Sequence, residues 1–408
     1  MHILLTGATG YIGKRLLHSL LNEGHTITCC VRNAKRINFL EGNEDQIGII
    51  ETDFSRPIES VKHLKPVDVA YFLIHSLKSD KDKFYDQESR IALNFKNLAE
   101  LLKCKQVIYL GGIANETKLS KHLSSRKNVE TTLQKGAFSL TILRAAIIVG
   151  SGSASFEIIR DLVEKLPLMI TPKWVNTKCQ PISIRNVIDY LIEALNNEDT
   201  FNKTFDIGGP DILSYKQMML DYASIRKLRR SIFTVPVMTP RLSSYWLYFI
   251  TATNYTLAVN LVNSMKVEVV CSENKIRDII KVPLLSYKEA VSKAFGMIEQ
   301  NMVVSSWKDA LSSSSATKVW NNHIHFPTHG CFIDKRTFKI AIGYRNQTIS
   351  KIWSIGGENG WYYATWIWNV RGFLDKVFGG VGLRRGRTNS TELKAGEPLD
   401  FWRVLVAD

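Results

Sequence analysis

Apolar runs of strand length alternate with amphipathic stretches through the first half of the chain. His2-Ile3-Leu4-Leu5, Thr26 to Val31, Gln46 to Glu51, Val67 to Ile74, Val107 to Leu110 and Leu140 to Ala145 read as strands. The stretches between several of them carry a helical period. Ile12, Leu16, Leu17, Leu20 and Leu21 fall on one side of a first helix, and Ile91, Phe95, Leu98 and Leu102 form the apolar stripe of another from about Tyr85 to Cys104. Strands alternating with helices predict an α/β fold built on a doubly wound parallel sheet. Gln180 to Ile184 leads into a further helix over 186–195, and Thr204 to Pro210 reads as a strand and a turn. The first domain is therefore expected to span 1–300, with 210–300 covering a substrate.

The pattern changes after Ser312-Ser313-Ser314-Ser315. Tryptophan becomes dense and Thr337 to Ile342 alternates, so a smaller, β-rich α+β domain is expected over 303–408. Lys351 to Ile355 and Trp361 to Trp368, joined by Gly356 to Gly360, predict a hairpin whose aromatics fill a core or line an apolar pocket. Arg403 to Asp408 reads as a strand with little after it, the pattern of a domain shortened at its end.

Composition narrows the class. Of 408 residues, 45% are hydrophobic, enough for ordinary cores, and the first strand begins at residue 2, which leaves no room for a secretory signal, so a cytoplasmic address is expected. Six cysteines occur without a Cys-x-x-Cys pair or histidines at ligand spacing; they are read as buried small hydrophobes, with no metal site expected. The net charge of +15 favours contact with phosphates or anionic surfaces. The basic clusters at 226–230 and 384–387 lack interleaved aromatics, so they are read as solvated faces and no nucleic-acid partner is expected. Leu242 to Met265 carries no formal charge and is long enough to span a bilayer, but its Ser, Thr and Asn content disfavours that. A helical cover over an apolar pocket is the first reading, and peripheral membrane contact through 242–265 the second.

The chemistry is written at the start. Thr6-Gly7-Ala8-Thr9-Gly10-Tyr11-Ile12-Gly13 sits between a strand and a helix, the context in which a glycine triplet binds a dinucleotide. Gly7 permits the tight turn, Gly10 lets backbone approach the pyrophosphate, Gly13 lets the helix pack on the strand, and the helix N-terminus faces the phosphates. Thr9, Tyr11 and Ile12 complete the cofactor-binding turn. At the end of the second strand, where a ribose-reading acid would mark NAD, stands Arg32. A guanidinium can pair with a 2′-phosphate in bidentate fashion, so NADP(H) is preferred over NAD(H).

With these residues placed, the chain resembles the atypical short-chain dehydrogenase/reductases with an NmrA-like nucleotide-binding domain, and more closely bacterial proteins that join such a domain to a C-terminal domain of unknown function. The resemblance rests on Thr6 to Gly13, Tyr71 to Leu77, Leu143 to Ser153, Phe205 to Pro210 and Gly379 to Arg387. It implies a Rossmann-type sheet, Asp53 and Phe54 at the adenine, and Leu73, His75 and Ser76 beside the nicotinamide ribose. It also implies a Ser, a Tyr and a Lys for proton transfer, and here the chain departs. Gly111-Gly112-Ile113 stands at the serine, and His122-Leu123-Ser124-Ser125-Arg126 at the Tyr-x-x-x-Lys, with Glu130 following. His122 is the candidate acid or base, and Arg126 the candidate contact to ribose or phosphate, although arginine cannot tune a neighbour by losing its proton. Two functions stay open: reduction of an apolar carbonyl-type substrate by NADPH, or a non-catalytic NADP(H)-binding sensor or assembly protein. A homodimer is expected by analogy with related enzymes.

Overall fold

Ile3, Leu4 and Leu5 have no exposed surface, because the strand that carries them lies inside a parallel sheet covered on both faces. The structure is a computed structural model and describes residues 1–34, 44–58, 65–74, 84–113, 121–235, 265–299, 337–356, 359–377, 398–399 and 402–403. Seven parallel strands make the sheet: β1 (His2–Thr6), β2 (Thr26–Val31), β3 (Ile47–Glu51), β4 (Val69–Phe72), β5 (Gln106–Gly112), β6 (Ser139–Ala145) and β7 (Lys203–Ile207). Their spatial order is β7-β6-β5-β4-β1-β2-β3. The order reverses between β1 and β4, and a crevice at the carboxyl ends of these two strands is the ligand position of such sheets.

Helices α1 (Tyr11–Asn22), α2 (Phe84–Leu101), α3 (Lys121–Leu133), α4 (Ala154–Lys165), α5 (Ile184–Glu193), α6 (Tyr215–Ile225) and α7 (Tyr287–Glu299) complete the described helical part of this unit, with a single turn at Ile276–Ile279. One face of the sheet packs on α1 and α5 through Leu16, Leu20, Val187 and Leu191, and the other on α2 and α3 through Phe95, Leu98, Val129 and Leu133. A separate core joins α4, α6 and α7 through Phe156, Tyr222 and Phe295, whose rings lie 5.2–6.0 Å apart. Buried polar groups in the sheet are answered. Gln106 donates to Thr141 Oγ1 at 3.0 Å and to the Ala194 carbonyl at 2.9 Å, and accepts from the Asn196 N–H at 2.7 Å.

The chain divides into two units, Met1–Trp307 and Lys308–Asp408. In the second, the expected hairpin over 351–368 is not found. Helix α8 (Arg345–Trp353) and helix α9 (Thr365–Val377) stand there instead, and residues 337–341 lead as irregular backbone into a short turn of helix at Ile342–Tyr344. The aromatics that suggested a strand fit a helical period equally well: Trp366, Val370 and Leu374 recur at four-residue steps, and Arg371 lies 5.4 Å over the Trp368 ring one turn back. Gly356 and Gly360, at φ of 83° and 63°, turn the chain between the two helices. Of the strand expected over 403–408 only Arg403 lies among the described residues; with Trp402 it pairs antiparallel with Pro398–Leu399.

Candidate functional site

The turn after β1 is shaped by the absence of side chains. Gly7 has a φ of 71°, and a methyl group on it would stand 2.8 Å from the Leu73 carbonyl oxygen just beyond β4. A methyl on Gly13 would overlap the Gly7 carbonyl group, so α1 approaches β1 only because Gly13 has none. The Gly10 N–H donates to the Gly7 carbonyl at 2.8 Å and closes the turn. Gly10 then caps α1 without any side chain over the first N–H groups, and no acid occupies the first turn. This open, electropositive helix start fits the pyrophosphate of a dinucleotide.

Neighbouring side chains hold the turn in place. The Thr6 hydroxyl donates to the Tyr71 carbonyl at 2.9 Å and accepts from the Leu73 N–H at 3.1 Å, which ties the end of β1 to the end of β4. Arg15 lies 4.3 Å over the Tyr11 ring and donates to the Ser151 carbonyl at 2.9 Å. Burial pushes the Tyr11 phenol up to about 12 against the opposing pull of Arg15. Thr9 and Ile12 are half-buried in the same turn. The strap from Arg15 and the Thr6 clamp escaped the sequence reading, since both join residues more than sixty positions apart.

Around the crevice, Leu73 packs its Cβ on Gly7. Arg32 is exposed just past the end of β2; surrounding atoms disfavour its charged form, and the nearby Asp53 carboxylate favours it. Asp53 accepts from the Ser55 N–H at 3.0 Å. Phe54 is buried edge-on against Phe95, 6.0 Å away, so its ring belongs to the core. His75 and Ser76 lie outside the described residues, as does 242–264 of the uncharged stretch. His122 is placed in the first turn of α3, and its side chain lies outside the described residues.

Arg126 is half-buried one turn further along α3, with its guanidinium on Gly112 at the end of β5. Glu130, buried, accepts two hydrogen bonds from Arg144 of β6, one of them at 3.0 Å from Nε. The side chains expected to lie apart on the sequence are thus brought to one edge of the sheet: the glycine turn, Arg32, Asp53, Leu73 and Arg126 all stand at strand carboxyl ends.

Residues 7–161 match the family described as NAD(P)H-binding. They form an NAD(P)H-binding domain. Residues 329–408 match a second family, described as a protein of unknown function (DUF2867). The chain is 27% identical over 212 residues to the photosystem II assembly factor Ycf39 of Trieres chinensis, a match covering 51% of this chain and 64% of that one. It is 22% identical over 222 residues to the chloroplastic divinyl chlorophyllide a 8-vinyl-reductase of Zea mays, covering 51% and 55%. The chain thus spans under two thirds of the length of these relatives. A nucleoside-diphosphate-sugar epimerase of Staphylococcus aureus superposes with a TM-score of 0.58 at 17% identity, over 71% of this chain and 99% of that one. A UDP-glucuronic acid 4-epimerase of Bacillus cereus, solved with UDP-glucuronic acid and NAD, superposes at 0.54 and 16% identity, over 74% and 99%. At those identities the likeness shows the fold of the NAD(P)H-binding domain alone. Among the described residues no helix is long and apolar enough to cross a membrane.

Proposed function

We propose that the chain is an NADP(H)-dependent oxidoreductase acting on an apolar carbonyl-type substrate. The observation that carries this is the glycine cradle combined with Arg32. The cradle supplies open N–H groups to a pyrophosphate, and Arg32 just past the end of β2, where no acid stands, supports a preference for a 2′-phosphate. NADPH, when bound, would supply a hydride. Leu73 packs on the glycine turn, α3 lays Arg126 on Gly112 at the end of β5, and in this reading His122, carried by the first turn of α3, has the role of proton carrier. The relative in Zea mays named as a reductase supports the reaction class.

A specific observation favours a second reading, a non-catalytic NADP(H)-binding assembly or regulatory protein. Gly111 and Gly112 stand where the resemblance places the serine, and one relative is named as an assembly factor. Peripheral membrane contact through 242–265 and a homodimer belong to the proposal under either reading; vesicle co-sedimentation and light scattering test them. Calorimetric titration with NADPH and NADH, run beside nicotinamide oxidation over a panel of apolar carbonyls, separates the two functions. NADPH is expected to bind at least tenfold more tightly than NADH, with oxidation that depends on substrate. Tight binding without oxidation supports the second reading, and no binding of either nucleotide overturns both.

A further inference from the structure

The end of β5 is glycine for a reason visible in α3. A methyl on Gly111 would stand 3.2 Å from the Tyr109 ring and 3.5 Å from Oε1 of Glu130, and a methyl on Gly112 would overlap Nη1 of Arg126. Two charged side chains one helical turn apart therefore rest on two residues without side chains. The missing serine is not simply lost: the space of a side chain at 112 is taken by the guanidinium of residue 126.

The two charges differ in what they meet. Glu130 is matched by Arg144, which also feels the Asp206 carboxylate, and Asp206 in turn accepts from the Ser272 N–H at 2.9 Å and the Ser272 hydroxyl at 2.6 Å. Among the described residues Arg126 makes no hydrogen bond or ion pair, although it is half-buried against Gly112 and near the buried ring of Tyr109. Its N–H groups stay open at the end of β5, and a planar anion can take them up by bidentate pairing.

We propose that Arg126, seated on Gly112, is the binding site for a carboxylate on the small molecule that lies beside the nucleotide. The inference deepens the proposed oxidoreductase reading and rests on the same crevice. It gives the substrate an apolar body with an anionic end, and it puts one arginine where the resemblance expects the side chain of a serine.

Benzoate and its neutral counterpart benzamide are the probes, titrated by calorimetry into the full chain with and without saturating NADP+. Benzoate is expected to bind at least tenfold more tightly than benzamide. Arg126→Met should erase that preference and Arg126→Lys should keep part of it. Gly112→Ala should weaken benzoate severalfold, because the new methyl displaces a flexible side-chain tip and leaves the fold unchanged by circular dichroism. NADP+ affinity should change less than threefold in all three variants. Equal binding of the two probes by the unmodified chain overturns the proposal, as does a loss of NADP+ affinity in Arg126→Met with benzoate unaffected, which would give Arg126 to the cofactor. If NADP+ does not bind at all, the oxidoreductase reading fails, while the benzoate titration without nucleotide still decides the role of Arg126.

Discussion

Single atoms decide the nucleotide site. A methyl on Gly13 would overlap the Gly7 carbonyl group, so the smallest side chain would have to push backbone aside, and backbone cannot yield as a side-chain tip can. Gly13→Ala is therefore expected to destabilise the fold by roughly 1–3 kcal/mol, the usual cost of overpacking, and to weaken NADPH binding at least tenfold through the displaced turn. Thermal denaturation and calorimetry on the same variant measure both effects, and a fully stable, fully binding alanine variant would contradict the geometry. Arg32 acts differently, since it is exposed. Arg32→Ala should cost NADPH about tenfold in affinity, of the order of one charge-assisted hydrogen bond, and leave NADH within twofold. Equal losses for the two nucleotides would remove the argument for a 2′-phosphate. The glycine turn and the place of Arg32 just past a strand end were legible in the sequence because each is a local feature. The Thr6 clamp and the Arg15 strap were not, because their partners, Tyr71, Leu73 and Ser151, are set by strand order.

At the scale of elements the legible part is what lies inside the sheet. Strands such as Val69–Phe72 and Gln106–Gly112 are buried along their whole length, so they appear as unbroken apolar or uncharged runs and their bounds fall close to the expected ones. The expected hairpin failed where aromatic content stood in for period: Trp361 to Trp368 satisfies a strand composition, but Trp366, Val370 and Leu374 follow the spacing of α9. The joint between α3 and β6 was invisible for another reason. Glu130 and Arg144 lie fourteen positions apart, and only the parallel placement of β6 beside β5 brings the guanidinium onto the helix. That ion pair fastens the helix that carries His122 and Arg126 to the sheet. Glu130→Gln leaves a partly exposed guanidinium short of a charge and is expected to cost roughly 2 kcal/mol, in the range for a hydrogen bond to a charged group. Urea denaturation checks the stability, and hydrogen exchange along 121–133 checks whether the loss is local to α3. An unchanged midpoint would mean that the helix is held by its apolar face alone.

Over the whole molecule, the core is populated by groups that must stay neutral. Cys29, Cys104 and Cys179 are buried among apolar side chains, and burial pushes each thiol from 9.0 up to about 12. The Tyr11 phenol is likewise pushed from 10.0 to about 12. In the unfolded chain these groups lose their protons near their ordinary values, whereas the folded chain holds them. Between pH 9 and 12 the unfolded state therefore binds fewer protons, and stability falls as pH rises. The contribution is fully present below pH 9 and is lost progressively toward 12, at about 1.4 kcal/mol per pH unit for each thiol titrating only in the unfolded state. Thermal denaturation between pH 7 and 11 is expected to show a flat region up to about pH 9 and then a steep decline. Cys29→Ala lowers the plateau, by creating a small cavity, and makes the decline shallower, by removing one of the titrating groups. The slope carries the test, because a cavity alone lowers the whole curve by a constant amount, whereas loss of a buried thiol changes only how stability depends on pH. A Cys29→Ala curve parallel to that of the unmodified chain above pH 9 would show that the thiol ionises equally in both states, and so is not sealed inside the sheet.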